Sequence, residues 1–165
     1  MEQTNLFEFL YDTYKLNKDN PLYVIEGFAG FGSQSLALKY LGVNYVHHRI
    51  VEWAIPSIIA YASLHRHELK DYGKDFTTNM NKDTIAEELF NLGVSIDYQK
   101  PAELDQLKRI SEDKLKLVYN SIKWSNNLVD VCRVKGNELG IERESIYSHI
   151  VFLVNAYHLQ VSYII

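Results

Sequence analysis

Cysteine is almost missing. Cys132 is the single one in 165 residues, so no disulfide can form within the chain. Positive charge is not in excess either: 17 Lys and Arg against 21 Asp and Glu leave a formal net charge of −4 and a pI near 5.8. That balance argues against a general basic surface for gripping nucleic acid and leaves a local basic patch open; sequence-specific DNA binding by this chain alone is not expected. No window approaches the roughly 20 apolar residues of a membrane span. The opening "MEQTNLFEFLYDTYKLNKDN" lacks the basic start and unbroken apolar stretch of a secretory signal. Together these absences predict a chain of the reduced cytoplasm with no membrane partner. Internal repeats and low-complexity tracts are absent too.

What is present is a hydrophobic fraction of 47%, enough for one domain spanning 1–165 and too little length for two comfortable ones. Leu6, Phe7, Phe9, Leu10 and Tyr14 recur at helical spacing. Leu22 to Glu26 reads as a short buried strand between Pro21 and Gly27. From Ser33 to Leu41 a helix is expected with Leu36, Ala37, Tyr40 and Leu41 on its apolar face, stopped by Gly42. "NYVHHRIVEW" then reads as a second strand ending in an acid, and Pro56 suits the first turn of a helix carrying Ile58, Ile59, Tyr61, Ala62 and Leu64.

From about residue 66 to 125 the chain turns mixed-charge and helix-favouring, which predicts a helical insert. One helix is expected at Lys82 to Leu92 and a longer one at Pro101 to Lys123, packed through Leu104, Leu107, Ile110, Leu115, Val118, Tyr119 and Ile122. "NLVDV" follows as a third strand and "HIVFLVNAY" as a fourth, buried on both faces. The fold class is therefore α/β.

The stretch "YVIEGFAGFGSQSLALKYLG" places a glycine-rich turn between a strand and a helix, where backbone N–H groups approach a ligand closely because no Cβ intervenes. Its spacing, Gly27-x-x-Gly30-x-Gly32, is not the G-x-G-x-x-G of dinucleotide binders. About twenty residues on, Glu52 closes the second strand where an acid can accept hydrogen bonds from ribose hydroxyls. Trp53 offers a flat face to a purine. Asp130, at the end of the third strand, can accept from an adenine amino group. Singly, a turn glycine, a strand-end acid and a tryptophan have duller explanations. Their joint order outlines an adenosine pocket. No metal site is expected: His47 and His48 are adjacent on a strand and point to opposite faces.

At these residues the sequence resembles the amino-terminal, cofactor-binding half of a DNA cytosine-5 methyltransferase of bacteriophage or prophage type. "VIEGFAGFGSQSLALKYLGVNY" is similar to the family's F-x-G-x-G motif, "HRIVEWAIPSIIAY" to its acid-plus-tryptophan motif, and "NLVDVCRVKGNEL" to its third cofactor motif. The resemblance implies a Rossmann-like half-sheet of order 3-2-1-4 and S-adenosylmethionine (SAM) as ligand. Phe28, Gly30 and Gly32 would line its methionine and ribose side, Glu52 would hold the ribose, Trp53 would stack on adenine and Asp130 would take its amino group. Gly27 departs from the large apolar residue usual at its place.

Cytosine C5 methylation requires a thiolate that attacks C6 of a flipped base. The family carries it in a Pro-Cys-Gln loop after the fourth strand, and by position His158-Leu159-Gln160 stands there, so Leu159 leaves no nucleophile. Cys132, in the adenosine-side loop, reads as a buried or partly buried structural cysteine, and His158 as an ordinary polar residue. With no catalytic residue, the expectation is an inactive, truncated methyltransferase-like protein that works by binding. SAM is one ligand. A protein partner or self-association is another, through the Val151–Tyr157 strand edge, the Val161–Ile165 tail or the Lys82–Lys123 helices. The phage-type resemblance suggests counter-defence in a bacterial host cell, against a CRISPR nuclease or a restriction system. The alternative is one fragment of a split methyltransferase that needs a second chain.

Overall fold

The computed structural model describes residues 21–140 and the strand at 150–154. Strand β1 (Leu22–Gly27) lies at the centre, paired in parallel with β2 (Tyr45–Val51) on one side and with β3 (Ile150–Val154) on the other. Val24, Ile25 and Glu26 of β1 are fully buried, as a central strand of a parallel sheet should be. The fold is α/β, and three of the four expected strands pair in the order β2-β1-β3. β2 is not regular: Val24 pairs with His47 but Ile25 pairs with Arg49, so His48 is an extra residue, a β-bulge.

The expected third strand does not form. Among residues 127–131 a single parallel bridge joins Asn127 to Ile50. The reason lies in Asn127, whose side-chain amide does the work of a ladder. Its Oδ1 accepts the Glu52 N–H at 3.0 Å and the Val129 N–H at 2.9 Å, while its Nδ2 donates to the Glu52 carbonyl at 2.8 Å. Val129 then adopts φ +62, which no strand continues.

Helix α1 (Ser33–Tyr40) follows the glycine turn and stops at Gly42, φ +70, as expected. Its burial differs from expectation. Ser35 is its buried residue, while Tyr40 and Leu41 are 87% and 58% exposed. A polar contact, Ser35 to the buried Glu26, fixes which side faces the sheet. Helix α2 (Ile55–Leu64) has Pro56 in its first turn and buries Ile55, Ile58, Tyr61 and Ala62, with Leu64 left exposed.

Three further α-helices follow, α3 (Lys82–Leu92), α4 (Leu104–Lys108) and α5 (Glu112–Trp124), and then a short 3-10 helix at Gly136–Leu139. α4 and α5 replace the single helix expected at Pro101 to Lys123. The break falls at Arg109–Ser111, where Ser111 stands in extended conformation before a new helix with Glu112 and Asp113 in its first turn. The expected packing face survives the break: Leu107, Leu115, Val118, Tyr119 and Ile122 are buried with Ile58, Ile85 and Leu89 in the main hydrophobic core. That core lies between α2 and the three later helices. A smaller cluster of Ala29, Ile50, Tyr61, Ala62 and Leu69 sits under the glycine turn. The helix expected near Leu6 to Tyr14, the His158–Gln160 segment with Leu159, residues 155–157 of the strand edge and the Val161–Ile165 tail lie outside the described residues.

Candidate cofactor cleft

Parallel strands place ligands beyond their carboxyl ends, and there a cleft of about 420 Å³ opens, lined by Phe28, Val51, Glu52, Trp53, Tyr98, Gln99, Val129, Asp130, Val131 and Cys132. Its size lies within the range of small-molecule sites. Of the six residues expected at a cofactor, Phe28, Glu52, Trp53 and Asp130 line it together. Gly30 and Gly32 do not.

Gly30 is one hydrogen bond away. The chain leaves β1 through Phe28 at φ +52 and Gly30 at φ +57, a turn that brings the Gly30 N–H to Glu52 Oε2 at 2.8 Å. The other carboxylate oxygen, Oε1, accepts the Ala54 N–H at 2.8 Å. Glu52 therefore clamps the glycine turn to the end of β2, with its side chain held in one position. An ionised carboxylate offers about four lone-pair sites, so each oxygen retains acceptor capacity toward a ligand hydroxyl.

Gly32 serves packing instead. At φ +84 it caps α1, and a Cβ there would lie 2.2 Å from His65 Nε2 and 2.8 Å from Tyr61 Cε2. The missing side chain allows close approach of the turn to α2.

Trp53 is half-buried, packed against the main core. Its carbonyl accepts the Ser95 N–H at 2.8 Å, and Ser95 returns a carbonyl to the Ile55 N–H at 2.8 Å. This laces the connector between α3 and α4 onto the start of α2. The connector supplies two lining residues that the sequence did not reveal. Asp97 Oδ1 accepts the Gln99 N–H at 3.0 Å, and Tyr98, at φ +64, shares a hydrogen bond with Ser57 Oγ at 3.1 Å.

Asp130 is already engaged. Its Oδ1 accepts the Cys132 N–H and its Oδ2 pairs with Arg133 Nε, both at 3.0 Å. Cys132 is exposed and lines the cleft, which corrects the expectation of a buried structural residue. The turn that Asp130 closes onto the Cys132 and Arg133 N–H groups carries that side chain outward.

A second acid, Glu26, lies fully buried behind the turn. Ser35 donates to it from Oγ at 2.6 Å and from N at 3.4 Å, and the Tyr61 hydroxyl donates at 3.2 Å. Desolvation raises its pKa above the ordinary carboxyl value, and the Ser35 and Tyr61 hydrogen bonds oppose that rise. Burial likewise pushes the Tyr61 hydroxyl well up. Glu26 was read only as a member of a strand.

No family model matches the chain. Two curated proteins do. One is Orphan methyltransferase M.SssI of Spiroplasma monobiae, 31% identical over 121 residues, which cover 70% of this chain and 30% of that protein. The other is Type II methyltransferase M2.ScrFI of Lactococcus lactis subsp. cremoris, 28% identical over 118 residues, covering 72% of this chain and 32% of that protein. The chain resembles part of a DNA cytosine-5 methyltransferase, as its motifs implied, and spans about a third of the length of these relatives. No described helix is long and apolar enough to cross a membrane.

Proposed function

We propose that this chain is a methyltransferase-like unit that binds SAM in the strand-end cleft, transfers no methyl group by itself, and acts by binding. The observation that carries the reading is the convergence of Phe28, Glu52, Trp53 and Asp130, from three separate segments, on one cleft. Their chemistry fits the group. Glu52 keeps acceptor sites for ribose hydroxyls, Phe28 and Trp53 supply apolar faces, and Asp130 supplies an acceptor for an amino group. SAM, when bound, would bring a sulfonium-activated methyl group. The chain's own residues hold and orient it, and the Leu159 position provides no thiolate for a cytosine. In this reading the third segment, Asn127–Val131, extends the 3-2-1-4 order of the family's sheet through its bridge to Ile50. The helices of about 66–125 form an insert.

The binding role fits counter-defence in a phage context: an acidic chain of this kind can occupy a site meant for nucleic acid. The Lys82–Lys123 helices would serve as the docking face. A second reading is one part of a split SAM-dependent DNA (cytosine-5) methyltransferase, active with a second polypeptide that brings its own cysteine.

Isothermal titration with SAM and S-adenosylhomocysteine, on the native chain and on Glu52→Ala and Trp53→Ala, tests the proposal. Saturable binding lost in both variants is expected. No heat from the folded native chain would sink the cofactor reading.

A further inference from the structure

Outside the cleft, three side chains from two segments converge on one point. We propose that His47, His65 and Glu68 form a binding site for a divalent transition-metal ion of the Zn²⁺ kind. His47 comes from β2, His65 caps the end of α2, and Glu68 follows one turn later with its N–H on the His65 carbonyl at 2.8 Å. His47 Nε2 lies 3.1 Å, and His65 Nδ1 2.9 Å, from the same oxygen, Glu68 Oε2. All three ligand atoms fall within 4.8 Å of one another. Metal–ligand bonds of about 2.0–2.2 Å meeting at tetrahedral angles put ligand atoms roughly 3.4 Å apart. Both nitrogen–oxygen separations are within about half an ångström of that spacing, and the two nitrogens, no more than 4.8 Å apart, would close the remainder as the ion enters.

The hydrogen inventory points the same way. The Phe31 carbonyl, which can only accept, lies 3.2 Å from His65 Nε2, so that nitrogen carries a hydrogen. The Tyr61 hydroxyl donates to Glu26, which leaves its oxygen to accept from His47 Nδ1 at 2.6 Å. His47 Nε2 and His65 Nδ1, the ring nitrogens that these outer contacts leave over, both face the one carboxylate oxygen, Glu68 Oε2. Holding the outer nitrogen of a ligating histidine on a carbonyl or hydroxyl is also how metal sites fix ring orientation. Lys39 pairs with the other Glu68 oxygen, and the Tyr45 hydroxyl lies 3.5 Å from Oε2. The side chains of His65 and His47 are 0% and 4% exposed while that of Glu68 is 23% exposed, so the nitrogen pair is dry and the carboxylate side gives access. Two imidazoles and one carboxylate suit Zn²⁺ and its Co²⁺ surrogate, and leave a coordination position open.

His47 was set aside in the sequence because its neighbour His48 faces elsewhere, and His48 does: its Nε2 donates to the Leu139 carbonyl at 2.8 Å. The true companion, His65, lies in another element.

The test strips the full chain with a chelator, then titrates it with Co²⁺ followed by visible absorption and with Zn²⁺ by calorimetry. His65→Gln and Glu68→Gln are compared with His67→Gln, a change at an exposed neighbour outside the cluster. The expected result is a low-coordinate Co²⁺ spectrum saturating at one equivalent, displaced by Zn²⁺, lost in the first two variants and kept in the third. Zn²⁺ should also raise the melting temperature of the native chain, a reading that needs no variant to fold. Absence of both the Co²⁺ spectrum and the Zn²⁺-dependent rise overturns the proposal, as does a titration that His65→Gln and Glu68→Gln leave unchanged. No SAM is present in the titration, so its failure leaves the cleft's assignment standing.

Discussion

Replacing Gly32 by alanine should destabilise the fold through two separable effects. The first is backbone strain: at φ +84 a residue with a Cβ costs about 1–2 kcal/mol in the left-handed region. The second is collision, since the new methyl would stand 2.2 Å from His65 Nε2 and 2.8 Å from Tyr61 Cε2. His65 cannot swing aside cheaply, being fully buried and held at both ring nitrogens by Glu68 and the Phe31 carbonyl. Overpacking of this kind costs about 1–3 kcal/mol. The two sum to roughly 2–5 kcal/mol, a large part of the ~5–15 kcal/mol stability of an ordinary domain. Gly42 supplies the internal control. It has φ +70 and nothing within 4 Å of an added Cβ, so Gly42→Ala should show the strain alone. Urea unfolding of the two variants beside the native chain reads the difference directly. Equal losses at the two positions would refute the packing role given to Gly32 and restore it as a candidate for ligand approach.

Other expectations follow from the same geometry. Because Glu26 has a raised pKa in the folded chain, the unfolded chain releases that proton first as pH climbs above the ordinary carboxyl value of 4.5. Folding stability should then fall with rising pH through this group, and the fall should vanish in Glu26→Gln. Urea midpoints across this range, native against variant, check the sign, and a difference independent of pH would contradict it. Asn127→Ala strips partners from the Glu52 N–H and carbonyl and the Val129 N–H. Buried groups left unpaired cost about 1–3 kcal/mol each, so a stability loss beyond that of a surface change should appear by urea unfolding, together with weaker SAM binding. Tritiated SAM and cytosine-containing duplex DNA should give no incorporation with this chain alone. Incorporation that Cys132→Ser abolishes would show that the exposed cleft cysteine, not a residue at the Leu159 position, can serve as nucleophile.

Local signals carried the parts of the fold that local physics controls. Gly42 and Gly93 stop helices with positive φ, Pro56 opens α2, and the periodicity from Leu107 to Ile122 marks a buried face. The same reasoning failed where a distant polar group overruled periodicity. α1 turned Ser35 inward because Glu26, nine residues earlier, needed a donor. A strand at 127–131 was replaced by one side-chain amide because Asn127 reaches Glu52, 75 residues away. No window contains both Asn127 and Glu52, and a buried acid nine residues before Ser35 leaves no mark on the helical period. The cleft divides in the same way. Glu52 and Trp53 were legible because they follow β2, Asp130 was placed by an expected strand that the structure replaces with a turn, and Phe28 was named by the family resemblance, whereas Tyr98 and Gln99 enter through a connector placed by its hydrogen bonds to Trp53 and Ile55.

The two acids on β1 and just beyond β2 account for the shape of the glycine turn. Glu52 holds Gly30 from the cleft side, while Glu26 holds the first turn of α1 through Ser35 and is tied by Tyr61 to His47. The turn is thus fixed at both ends by carboxylates whose oxygens accept hydrogen bonds, the pattern that makes buried acids tolerable. Gly32 and His65 then close the interval between them, since His65 accepts no Cβ at Gly32 and donates to the carbonyl of Phe31, one residue before it. A metal ion on His65 would bear on the same turn through that one ring, and a cofactor on Glu52 would bear on it through Gly30. Each ligand would then order the segment that the other also uses, which is the physical condition for positive coupling between them. SAM titration of the chain with and without Zn²⁺ measures it: tighter SAM binding in the presence of Zn²⁺ is the expected outcome, and identical affinities would mean that the turn is already rigid before either ligand arrives.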